Sequence, residues 1–91
     1  MASTVNRFLS SEAALEAAAA VEHERWSHWQ AYLHSQSERG DDGSLRIPSH
    51  LVERWERQIT TPYSELPEAE RESDREQARQ FLAALGDVSN E

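Results

Sequence analysis

The chain has no cysteine and no lysine, and only three glycines, three prolines and one methionine among its 91 residues. Without cysteine there is no disulfide staple and no thiolate metal site, which fits a reducing compartment. The glycines are Gly40, Gly43 and Gly86, and their spacing forms no phosphate-cradling loop. The longest nearly apolar run, Ala13 to Val21, is broken by Glu16 and is too short to span a bilayer. The N-terminus lacks the basic-then-apolar layout of a secretory leader. A single cytoplasmic domain with no membrane partner is expected, with a modest core because a short chain buries a smaller share of its surface.

What the chain does have is acid. Seventeen Asp and Glu face nine basic residues, all arginine, for a formal charge of −8. That balance opposes nucleic-acid binding, which needs a basic face to release counterions. An acidic surface can instead dock on a basic partner or mimic DNA, and its simplest role is solubility.

Residues 1–9 carry no period and are expected to form a flexible arm. A long helix should follow, capped by Ser10 or Ser11 and ending before Gly40. Its expected inward stripe runs Leu15, Ala19, Glu22 or His23, Trp26, Trp29 or Gln30, and Leu33. Asp42-Gly43 signals a turn, so "RGDDGSLRIP", residues 39–48, reads as a loop with a token hairpin. Pro48 suits the first turn of a second helix carrying Leu51, Val52, Trp55 and Ile59, and Pro62 should end it. Tyr63 and Leu66 anchor a tight turn, and Pro67 opens a last helix. Glu68 and Glu70 complement its dipole, its inward stripe reads Asp74, Ala78, Phe81 or Leu82, and Leu85, and Gly86 should stop it. The expected fold is all-α: three helices in one domain over 10–86, with 87–91 frayed.

Catalytic signatures are missing. His23-Glu24 resembles half of a zinc-protease motif, but Ser27 stands where the second histidine belongs. His23 and His28, five apart, do not share a helix face. No catalytic residue, metal or cofactor is assigned.

Large rings and forked cations remain. Trp26, Trp29, Tyr32, Trp55 and Tyr63 are amphipathic, and a small domain spends such rings on its core. One or two of them lining a pocket would stack a flat ligand, with Arg54, Arg57, Arg71 and Arg75 supplying donors to phosphate or carboxylate. Asp74, on the expected inward stripe one turn after Arg71, must be paired or stay at the rim. It reads either as an ion pair fixing the last helix or as a group orienting a ligand, and His23 invites the same two readings.

The block His23-Glu24-Arg25-Trp26, with Pro62, Tyr63, Leu66, Glu70, Asp74 and Arg75 further on, resembles the ryanodine-receptor-type (RyR) domain family. The likeness spans about residues 15–85. Arg71 stands where that family prefers lysine, and "DDGSLRIPSHLVERWERQITT" replaces its extended middle with what looks like an added helix. The resemblance implies a small stand-alone bacterial or phage type of module, in a defence-signalling setting, that senses or sequesters a nucleotide-derived molecule such as an ADP-ribose or cyclic-nucleotide signal. His23, Trp26, Arg54, Trp55, Tyr63, Arg71, Asp74 and Arg75 are then the candidate ligand-binding residues. The rival expectation is an acidic protein-interaction module that inhibits or docks on a partner protein. A homodimer that buries some of the tryptophans is expected under either.

Overall fold

In a computed structural model, described over residues 3–89, four helices and one short antiparallel ribbon follow in the order α1 (Thr4–Leu9), α2 (Glu12–Gln36), β1 (Glu38–Arg39), β2 (Leu45–Arg46), α3 (Ser49–Thr60) and α4 (Glu68–Ser89). The chain is mainly α-helical with a small two-stranded sheet.

Of the expected arm, Thr4–Leu9 is a helix, and residues 1–2 lie outside the described residues. Ser3 caps α1 by accepting from the Asn6 N–H at 3.1 Å, a local signal that a segment this short cannot express as a period. Ser11 caps α2 through the Ala14 N–H at 3.2 Å, and its hydroxyl also donates to the Phe8 carbonyl at 2.6 Å, tying the two helices together.

Beyond α2, Glu38 pairs with Arg46 and Arg39 with Leu45. Asp42 Oδ1 accepts from both the N–H and the hydroxyl of Ser44, and Gly43 takes φ 87° to close the turn. The token hairpin is therefore real. Pro48 precedes α3 and accepts from the Leu51 and Val52 N–H groups. After α3, Pro62 and Tyr63 accept from Glu65 and Leu66 in a 3₁₀ turn over Tyr63–Glu65. Pro67 then opens α4, which runs through Gly86 to Ser89 instead of stopping. Gly86 has no positive φ, so it does not form the left-handed cap expected of it. Of the expected frayed tail, residues 90–91 lie outside the described residues.

The helices α2 and α4 pack along each other, with Leu85 beside Ala14 and Ala18 at the base of the seam. At the other end Trp29 of α2 meets Trp55 of α3, and the Gln58 amide donates to the Glu70 carboxylate. The two long helices are thus antiparallel, and α3 lies over their upper half.

The inward faces follow expectation at Gln30, Leu33, Phe81 and Leu85 and elsewhere differ from it by about one residue. On α2 the seam takes Ala14, Ala17, Ala18, Val21 and Arg25, whereas Leu15, Ala19, His23 and Trp26 are exposed. Both rows are apolar in this alanine-rich helix, so composition does not choose between them. On α4 the seam takes Gln77, Phe81, Ala84, Leu85 and Val88, while Asp74, Ala78 and Leu82 face solvent. Asp74 stays out because the seam near it is polar, where Glu70 is held by Gln58, and an unpartnered carboxylate is cheapest in water.

Buried apolar side chains among the described residues are Ala14, Val21 and Leu51 alone. The radius of gyration is 17.6 Å, against about 12 Å for a closed globule of this length. The molecule measures 56 × 33 × 19 Å, so it is long and thin.

Candidate functional site

Two features concentrate the chemistry. The first is a charge ladder on the outer side of α4. Glu68, Glu72 and Glu76 alternate with Arg71, Arg75 and Arg79 at spacings of three and seven. Arg71 and Arg75 reach Glu68 at 2.7 and 2.6 Å, Arg75 and Arg79 reach Glu72 at 3.0 and 2.7 Å, and Arg79 reaches Glu76 at 2.9 Å. Acids precede bases along the helix, the order the macrodipole favours.

The hydrogen bond from Arg75 holds the Glu68 carboxyl below its ordinary range, and that from Arg79 does the same for Glu72. Arg75 is raised in turn by Glu68, then Glu72, with a smaller contribution from the nearby Tyr63 hydroxyl. Arg71 and Arg75, two of the four arginines expected to hold phosphate, are therefore already neutralised. Arg71 keeps one free donor: its Nε is enclosed and has no hydrogen-bond partner.

The second feature is aromatic. Trp29 sits between Tyr32 (ring centroids 5.8 Å apart) and Trp55 (5.3 Å, edge-on at 69°). One turn earlier His23 stacks on Trp26 at 6.3 Å and 20°. Leu15, Ala19, Glu22, Trp26 and Trp29 recur at alternating steps of four and three, so they form one row along α2. Trp55 covers the upper end of that row. At the lower end only Leu9 of the short α1 approaches the row, and Leu15 stays 63% and Trp26 52% exposed.

The eight candidate residues do not converge. Tyr63, Arg71 and Arg75 gather at the start of α4. Trp55 goes to Trp29, while His23 and Trp26 lie on the open row. Arg54 and Asp74 are exposed, and neither makes a hydrogen bond or ion pair among the described residues. None of the eight lines either of two shallow surface hollows. One lies between the ribbon and α3, lined by residues such as Glu38, Arg46, Pro48 and Glu53. The other lies at the base of the α2–α4 seam, lined by Leu9, Ala14, Leu15, Ala18 and Leu85 among others. Sequence reading missed this apolar hollow because it assigned Leu15 to the core and residues 1–9 to an arm.

Among the described residues no three side chains cluster to hold a metal ion, and no helix is long and apolar enough to cross a membrane. No protein-family model, curated protein or solved structure matches the chain.

Proposed function

We propose that this chain is a non-enzymatic helical module that works by docking on a protein through the open face of its α2–α4 pair. One observation carries the reading. A row of large apolar groups, Leu15 and Trp26 on α2 with Leu82 on α4 at 68% exposure, lies uncovered beside a core of three buried side chains. Exposed apolar surface of this kind marks interaction sites, and a tryptophan on it is the side chain best suited to anchor one. The ladder keeps the acids of α4 paired on its outer side, so they flank the open face and leave it apolar.

Oxidative footprinting of Leu15, Trp26 and Leu82 tests this, comparing dilute purified protein with the chain in cell extract. Protection in the extract is the expected result. Equal labelling in both, from a protein that sediments as a monomer, would remove the docking reading.

A second reading is an RyR-like module for a nucleotide-derived ligand. It draws support from the sequence resemblance and from the free Nε of Arg71 near Tyr63 and Arg75. It requires a nucleotide to raise the melting temperature and Arg71→Ala to abolish that rise. A nucleotide panel with no shift would rule it out.

A further inference from the structure

We infer that the occupant of the open face is a second copy of this chain, related by a two-fold axis that passes beside Ala19. The inference rests on the docking reading above and names its partner.

Area is the first argument. The chain exposes 7204 Å², whereas a closed protein of its 10.4 kDa mass exposes about 5,400 Å². The excess is well above the roughly 800 Å² that each partner gives up in a stable interface of standard size. The lower parts of α2 and α4, each about 15 residues long, present a face roughly 20 Å by 20 Å, about 400 Å² in projection, and the flanking α3 helices must supply the rest of such an interface.

Shape is the second argument. A two-fold interface must be self-complementary, each patch meeting its own copy. Here the open face carries a projection and a recess. The projection is Trp26, at the upper limit of the face next to the region covered by α3. The recess is the hollow of Leu9, Ala14, Leu15, Ala18 and Leu85 at the base. They lie about 12 residues, or about 18 Å, apart along α2. Turning one copy about an axis midway between them, beside Ala19, seats each Trp26 in the other copy's hollow. Alanine at the axis lets the two α2 helices approach closely. The α3 helices then flank the junction at opposite ends and fix its register. The result is a four-helix junction built from two α2–α4 pairs.

Chemistry supports the same choice. The face between Trp26 and the hollow contains one acid, Glu22, and Arg25 already pairs with it through Nε at 2.9 Å. Glu12, the other acid at the interface, lies in the hollow itself, in the first turn of α2 where the helix dipole favours a carboxylate, so the α2 rows meet without opposing unpaired charges although each chain carries −8 overall.

The absence of cysteine makes the test clean. Wild-type protein should sediment as a dimer at micromolar to submillimolar concentration. Ala19→Cys should oxidise to a covalent dimer, whereas Glu53→Cys, on the exposed side of α3, should not. Trp26→Ala should weaken dimerisation by roughly tenfold or more while helicity by circular dichroism is unchanged, since the ring is half-exposed within one chain. A wild-type monomer at submillimolar concentration would overturn the inference, as would a dimer in which the A19C variant cross-links no faster than the E53C variant. A monomer whose face is nevertheless protected in extract would leave the docking reading standing and remove only the self-partner.

Discussion

Trp29 and Trp55 meet edge to face, 5.3 Å between ring centroids and 69° between planes, and this contact joins α2 to α3. Such a pair adds about 1 kcal/mol beyond the area it buries. Because Trp55 is half-buried, its full replacement falls below the cost of deleting a core tryptophan. Trp55→Ala should destabilise the chain by about 2 kcal/mol, read as a lower urea midpoint. The change should also loosen α3 without melting α2, which hydrogen exchange resolves helix by helix.

The ladder on α4 responds to pH with a defined sign. Glu68 and Glu72 are held below their ordinary value of 4.5 by Arg75 and Arg79. Their contribution is fully present above that value and is lost as pH falls through the depressed values. Arg75→Gln removes the central rung, so it should be less stable than wild type at neutral pH. The gap should close as pH drops below about 4.5. Thermal melts of both proteins across that range, at low salt, measure it. A gap that widens in acid would contradict the assignment.

Gly43 turns the ribbon at φ 87°, where an L side chain is strained although the space around it is open. Gly43→Ala should cost about 1 kcal/mol, and Gly43→Asn less, because asparagine tolerates the left-handed region. Urea denaturation of the two variants should show that order.

Asp74 is exposed on α4 and takes part in no rung of the ladder. Asp74→Ala should therefore shift stability by less than about 0.5 kcal/mol. A larger loss would restore the structural ion pair that its place in the sequence suggested.

Local chemistry is legible in the sequence and tertiary choice is not. Pro62, Pro67, Ser11 and Asp42-Gly43 act through their own backbone restrictions and caps, so the end of α3, the starts of α2 and α4 and the ribbon can be read directly. The period of α2 is equally visible. Its phase is hidden, because Leu15, Ala19 and Trp26 form as good an apolar row as Ala14, Ala18 and Val21. Only the packing of α4 along α2 decides which row is covered. The spacings of Arg71 and Arg75 from Glu68 are also plain in the sequence. Taken as helix neighbours, three and seven apart, they pair those cations before any phosphate is invoked. The Gln58–Glu70 bond joins two helices across a turn, and nothing in either residue's surroundings announces it.

The distance along the chain between Ala14 and Leu85 has a kinetic consequence. The ribbon, the 3₁₀ turn and the Trp29–Trp55 contact all close short or moderate loops. The base of the seam must bring together nearly opposite ends of the molecule, and that closure entropy is met before its contacts form. Docking of the C-terminal half of α4 is therefore the late step of folding and the first to reverse. Amides near Phe81 and Leu85 should exchange through a smaller opening than those around Leu51.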